Sequence, residues 1–265
     1  MRSYAKVHVL HAGELTYDQS LAFKELDVIP PVHHRSKEFQ QKVPVSSYLI
    51  EHPQGNIVVD TGWHEDIRTN PKKHLGEEIY QFIEYKLPEG HSVKEQLAAK
   101  NLSPEDIHTV VITHLDVDHI SGLKLLSKAE RFLVSEPEWE NHRDESKEKW
   151  YKGIDFEPVK LEKIPFGPHQ LGKDLFGDSL VYLVFTPGHT AGHISVLVRV
   201  EAGWVLLVSD VGYAEKSWKE QILPGITVDD ELAFQSLQWV KEFSELEDCV
   251  VAIANHDPNI QPTVY

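Results

Sequence analysis

A mixed α/β fold is predicted from three observations. Residues 108–113, 180–185, 204–209 and 249–253 are short, apolar, β-branched runs that read as buried strands. Other segments carry apolar residues at helical spacing, most clearly 229–245 with Leu232, Phe234, Leu237, Val240 and Phe243. The length, 265 residues with 41% hydrophobic and 9% aromatic side chains, suits one large domain or two tightly fused halves around a sizeable core. A single domain over 1–265 is expected. The sequence shows no repeat of roughly 20–50 residues, no low-complexity tract and no linker.

Taken in order, residues 4–10 alternate apolar and polar and read as a first strand. Residues 13–42 are polar, with Pro30, Pro31, His33 and His34, and are expected to form a long loop with exposed histidines. Strands follow at 43–50 and 56–60. Leu75, Ile79, Phe82, Ile83 and Leu87 give 72–87 a helical pattern. Ser92 with Glu95 is a capping-box pair opening a helix to about Lys100. Pro104 after Ser103 starts a short helical turn before the strand at 108–113. Residues 120–128 read as a helix, 132–135 as a strand, and the charged stretch 136–152, with Trp139, Trp150 and Tyr151, as helix and loop. Gly172, Lys173 and Asp174 sit in a turn-rich region. Residues 194–200 and 204–209 form a hairpin across Glu201, Ala202 and Gly203.

The formal net charge of −16 argues against nucleic acid and anionic membranes as partners, since both bind basic surfaces. One cysteine, Cys249, sits in an apolar run and reads as a small hydrophobe. It can form no intramolecular disulfide, so it fixes no compartment. The N-terminal segment lacks the apolar core of a signal peptide, and no run approaches the roughly 20 apolar residues needed to span a bilayer. A cytoplasmic protein is the resulting expectation; oligomeric state is left open.

The chemistry concentrates at Thr113, His114, Leu115, Asp116, Val117, Asp118 and His119, which follow the strand-like run directly. Four potential ligands lie within a few residues, and the His and Asp mixture suits zinc, iron or manganese. A solvated turn would explain this cluster alone. It does not explain three further cases. Pro187 and Gly188 break the run at 180–185 and project His189 from a tight loop. Asp210 ends the run at 204–209, and His256 follows the run at 249–253. A packed core accounts for four strands but not for His or Asp at the end of each.

These motifs resemble those of the metallo-β-lactamase superfamily. Residues 56–62, ending in Asp60, Thr61 and Gly62, resemble its first motif, and His114 to His119 its H-x-H-x-D-H motif. The loop from Thr186 to His193, Asp210 and His256 match its later ligand motifs in order. Within the superfamily the chain is most similar to the N-acyl homoserine lactone lactonases. The segment 43–53 resembles the strand leading to their first motif, Tyr213 lies three residues after Asp210 where they place a tyrosine beside the substrate carbonyl, and Asn255, His256 and Asp257 resemble their last-ligand segment. The resemblance implies an αββα sandwich, two packed mixed β-sheets flanked by helices. It also implies two divalent metal ions: His114, Asp116 and His189 on the first, Asp118, His119 and His256 on the second, Asp210 bridging. Zinc is expected, with iron or manganese as alternatives.

One departure matters. The family pattern has His where this chain has Asp116. A carboxylate still ligates zinc but adds charge and hardness, which lowers the Lewis acidity of the nearer metal and favours iron or manganese. It also leaves open a site with one weakly held metal. The implied activity is metal-assisted hydrolysis of a lactone ester, N-acyl homoserine lactone-like (quorum quenching), with Tyr213 donating to the carbonyl oxygen and Asp118 handling the proton of the leaving alcohol. Asp60 is a candidate orienter of a ligand, and His193 is expected to pack or hydrogen-bond rather than bind metal. Hydrolysis of another ester, thioester or phosphoester stands as the alternative, as does a non-hydrolytic metal-binding protein.

Overall fold

A computed structural model describes residues 4–142 and 147–265. The first sheet contains β1 (Lys6–Asp18), β2 (Gln40–Glu51), β3 (Asn56–Val59), β4 (Glu84–Lys86), β5 (Ile107–Val111), β6 (Arg131–Ser135) and β7 (Phe156–Val159). Its spatial order is β4-β1-β2-β3-β5-β6-β7. The second contains β8 (Glu162–Lys163), β9 (Leu171–Asp174), β10 (Val181–Phe185), β11 (Ile194–Val200), β12 (Gly203–Ser209) and β13 (Cys249–Ala254), in the order β13-β12-β11-β10-β9-β8. Both sheets are mixed. β3, β5, β6 and β7 run parallel, as do β12 and β13, while the other neighbours are antiparallel.

Alternation along the strands explains the layering. Val196 and Val198 of β11 enter the core between the sheets with Val7, Val9, Ile57, Val59, Val111 and Leu207, whereas Leu197 faces outward. Outside the first sheet, Val58, Val110 and Phe132 pack on Val93, Leu97, Ile120 and Leu123. Outside the second, Leu197, Leu206 and Val208 pack on Trp218, Leu237, Val240 and Phe243. The helices are α1 (Pro71–Leu75), α2 (Glu77–Phe82), α3 (Val93–Ala99), α4 (Val117–Ile120), α5 (Glu136–Asn141), α6 (Glu148–Tyr151), α7 (Glu215–Glu220) and α8 (Asp230–Ser244). Two sheets face to face with helices outside is the αββα arrangement expected above.

Several local expectations need correction. The first strand runs on to Asp18, with its register shifted between His11 and Glu14, because Leu15 and Tyr17 continue the buried face beyond Gly13. Residues 72–87 form two short helices and a strand, broken at Gly76, whose φ of 89° ends α1. Residues 120–128 form only the end of α4 and a 3-10 turn, Leu123–Leu126, since Gly122 closes on Thr61 and leaves no length for a helix. Residues 171–174 pair with β10 as a strand. Part of the 136–152 stretch, residues 143–146, lies outside the described residues. Cys249 is half-buried.

The capping box of α3 forms as read: Ser92 Oγ accepts from Glu95 N–H, and Glu95 accepts from Ser92 N–H. Glu95 also receives two hydrogen bonds from the Arg68 guanidinium, which hold its carboxyl down at about 2, below the ordinary 4.5, against partial burial. The folded state thus favours the carboxylate. This stabilisation is complete above about pH 4.5 and drains away as pH falls toward 2. Glu95→Gln is expected to lower the urea midpoint at neutral pH by the equivalent of about 1 kcal/mol, with the gap to the wild type closing near pH 3. An equal gap at both pH values would show that the charge of Glu95 contributes nothing.

Candidate metal centre

Each strand end delivers its side chain through a local device. Asp60, just after β3, and Ser209, the last residue of β12, both have φ of 55°, a left-handed turn that swings the chain off the sheet and, after Ser209, aims Asp210 inward. After β5, Asp116 caps the short α4, which carries Asp118 and His119. After β10, Pro187 and Gly188 turn the chain so tightly that a Cβ on Gly188 would lie 2.1 Å from Ala233 N of α8. His256 follows β13.

These ends converge. His114, Asp116 and His189 form one group of mutually close ligand atoms, Asp118, His119 and His256 another, and His114, His119 and Asp210 a third that joins them. Asp116 Oδ2 lies 3.2 Å from His189 Nε2 and 3.6 Å from His114 Nε2. Asp118 Oδ2 lies 3.2 Å from His256 Nε2 and 3.8 Å from His119 Nε2. Asp210 sits between, 3.5 Å from His119 Nε2 and His256 Nε2 and 3.9 Å from His189 Nε2. All seven side chains singled out as ligands therefore meet at one place.

The far ring nitrogens fix how the imidazoles face. His189 Nδ1–H donates to Ile226 O and His256 Nδ1–H to Pro44 O, each at 2.9 Å. A carbonyl only accepts, so Nδ1 carries the proton and Nε2 presents a lone pair to the centre. His119 Nδ1–H donates to Asp60 Oδ2 at 2.7 Å, and Asp60 also accepts from Thr113 N–H and Thr113 Oγ1–H. Asp60 is fully buried and orients His119 from behind. His193 points away: its Nε2 accepts from Asp210 N–H and its Nδ1–H donates to Thr186 Oγ1.

The donor set fits a divalent metal by its unmet needs. His114 Nε2, His119 Nε2 and Asp210 Oδ1 are buried with no hydrogen-bond partner, which native interiors rarely tolerate. The carboxylates also call for positive charge. Burial opposes a charged His256 ring, yet Asp210 and Asp118 raise it to about 10. Burial likewise opposes protonation of His119, and Asp60, Asp210 and Asp118 overcome it. Cations held by Asp116, Asp118 and Asp210 would supply that charge in place of protons.

A cavity of about 280 Å³ opens over this centre. Asp116, Asp118, His189, Asp210, Tyr213 and His256 line its floor, and Leu15, Leu21, Ile79, Phe82, Val117 and Ile226 its walls. Tyr213 stacks on His256 with ring centroids 5.1 Å apart and meets Tyr17 edge-on. A larger depression of about 750 Å³, lined by Glu14, Lys42, Glu84 and Lys86 among others, reaches none of these ligands. A separate group, His64, Asp66 and His74, lies outside the cavity. Its two rings stack, and Ser121 Oγ bonds both His64 N–H and His74 Nε2.

Residues 41–254 match the family model of the metallo-beta-lactamase superfamily. The chain belongs to the metallo-beta-lactamase superfamily. Its relatives within that superfamily are lactonases by name. N-acyl homoserine lactonase AttM of Rhizobium radiobacter is 30% identical over 228 residues, 82% of this chain and 83% of that protein. N-acyl homoserine lactonase AiiA of Bacillus thuringiensis subsp. kurstaki is 29% identical over 212 residues, 79% of this chain and 80% of that protein. A solved N-acyl homoserine lactone hydrolase, with N-hexanoyl-L-homoserine product at its catalytic metal centre, superposes with a TM-score of 0.78 at 25% identity, covering 97% of this chain and 94% of that one. AidC, a dizinc quorum-quenching lactonase, shares the fold with a TM-score of 0.67 at 16% identity over 97% of this chain and 90% of its own.

Two features of this metallo-beta-lactamase centre escaped the sequence reading. Buried Glu138 accepts from Leu115 N–H, Thr190 Oγ1–H and Gly192 N–H, tying the first ligand loop to the loop of His189. Ser135 three residues before Glu138 is a helix-start signal that hints at it. Lys147 Nζ lies 2.8 Å from Asp116 Oδ1, which no local pattern signals.

Proposed function

We propose that this chain is a metal-dependent hydrolase that opens the ester bond of a lactone, with N-acyl homoserine lactones as substrate class. The observation that carries it is the set of partnerless buried ligand atoms, His114 Nε2, His119 Nε2 and Asp210 Oδ1, grouped at Asp210, which lines an apolar-walled cavity. The naming of the curated relatives, and the acyl-homoserine product held by a structural neighbour, support the lactone. His114, Asp116 and His189 would hold a first divalent ion, Asp118, His119 and His256 a second, and Asp210 would serve both; zinc suits the donors, with iron or manganese favoured by the extra carboxylate. Bound there, the ions supply Lewis acidity, acidifying water and polarising a carbonyl.

The chain's own residues do the rest. Tyr213 donates its hydroxyl hydrogen to the carbonyl oxygen as negative charge develops. Burial, then the charges of Asp210 and Asp118, hold its phenol well above the ordinary range, so it stays a donor. Asp118, a carboxylate that lines the cavity, takes a proton from the attacking water and passes it to the departing alcohol. The apolar walls exclude water and accept the aliphatic part of the substrate.

Elemental analysis of protein purified without chelator is expected to give two metals per chain, and the loaded protein to turn over acyl homoserine lactones in preference to thioesters and phosphodiesters. One metal per chain, unchanged by added metal, would contradict the paired site; a loaded protein inert toward lactones would contradict the substrate class. Tyr213→Phe is expected to lower kcat on the order of 100-fold while metal content stays unchanged. An unaltered kcat would reduce Tyr213 to a wall of the cavity.

A further inference from the structure

Asp116 is the most solvent-open member of the ligand group. Its side chain is 36% exposed, against 13% for Asp118 and 4% for Asp210. An aspartate at such a position has two ways to fail as a ligand: it can rotate toward water, or present both oxygens and crowd the centre. Neither occurs. Oδ2 faces His189 and His114, while Oδ1 accepts from the Lys147 ammonium at 2.8 Å. One oxygen is directed to the centre and the other is held away from it. The ammonium also sets a positive charge against the carboxylate, which offsets the negative charge that Asp116 brings to the centre. Lys147 reaches Asp116 from the segment just before α6, and it lines the cavity.

We propose that Lys147 is a positioning residue which holds Asp116 in a single-oxygen orientation and offsets its charge, so that the Asp116–Lys147 pair does the work of one histidine ligand. This rests on the metal-site reading above. An ordinary surface ion pair would contribute little to anything measurable. A partner that orients a ligand is instead worth about 10–100-fold in metal affinity.

The test is chelator competition on the full chain, resolving the tighter and weaker metal, for the wild type, Lys147→Met, Lys147→Arg, Asp116→His and Asp116→His with Lys147→Met. Lys147→Met is expected to weaken one of the two metals by about 10–100-fold, and Lys147→Arg to retain most of that affinity. In the Asp116→His background, Lys147→Met is expected to change the affinity less than about 3-fold, because the imidazole needs neither the orientation nor the charge. That non-additivity is what a merely structural lysine would not produce. Wild-type affinity in Lys147→Met, or the same loss in both backgrounds, would overturn the role of Lys147 alone. A wild-type chain that takes up no divalent metal would overturn this proposal together with the metal site.

Discussion

Asp210→Ala is expected to abolish hydrolysis and to loosen both metals together. Among the described residues, Asp210 is the one carboxylate that reaches both ligand groups, facing His119 with one oxygen and His189 and His256 with the other. Removing it takes away a charge shared by two sites, not one bond of one site. Several kcal/mol of charge stabilisation at the metals correspond to a fall of about a thousandfold or more in kcat/KM. Burial opposes the Asp210 charge, but His256 and His119 outweigh it and hold the carboxylate ionised well below the usual range, so the change is expected to cost the metal-free fold some stability as well. His189→Ala is the contrast: it strips one ligand from one group and is expected to loosen a single metal. Parallel metal titrations of both variants check this. Full metal content and full activity in Asp210→Ala would mean that the ligand assignment is wrong.

Why the site was so legible follows from where its residues stand. His114, His189, Asp210 and His256 each come within four residues of the end of a short apolar run, and such runs are read from composition without knowing their partners. Asp118 and His119 lie within a turn of His114, so a local motif contains them. The sandwich rested on the family resemblance; periodicity alone gives only a mixed α/β fold, because a run such as Val196, Leu197, Val198 is apolar on both faces and does not say which side meets the other sheet. Boundaries were less legible. Leu15 and Tyr17 lie in a polar stretch, and only their pairing with β2 shows that the strand continues. Lys147 and Glu138 were missed because they act across the chain. Lys147 is 31 residues from Asp116, and Glu138 is 52 from Thr190. Apart from Ser135, which marks a helix start three residues before Glu138, nothing in their own neighbourhoods distinguishes them from other charged residues of a solvated helix.

Glu138→Ala is expected to be the most destabilising single change near the site. The side chain is a buried carboxylate at 5% exposure that gathers three donors from two loops, Leu115 N–H at 2.9 Å, Thr190 Oγ1–H at 2.6 Å and Gly192 N–H at 3.1 Å. Truncation leaves two backbone N–H groups buried without partners, at about 1–3 kcal/mol each, and opens a void beside them. The sum is a loss on the order of 3–5 kcal/mol, a large share of what a domain has. Packing allows little relaxation, because a Cβ on Gly192 would already lie 1.9 Å from Glu138 N. The two loops that Glu138 joins carry His114, Asp116 and His189, so on the proposed assignment a metal bound there is expected to be lost before one bound by Asp118, His119 and His256. Glu138→Gln keeps the shape and one accepting oxygen, and is expected to recover about half of the stability while failing Gly192 or Leu115. Urea midpoints and stepwise metal release for the two variants decide it. A Glu138→Ala protein within about 1 kcal/mol of the wild type, releasing its metals in the wild-type order, would show that the loops hold their geometry without this link.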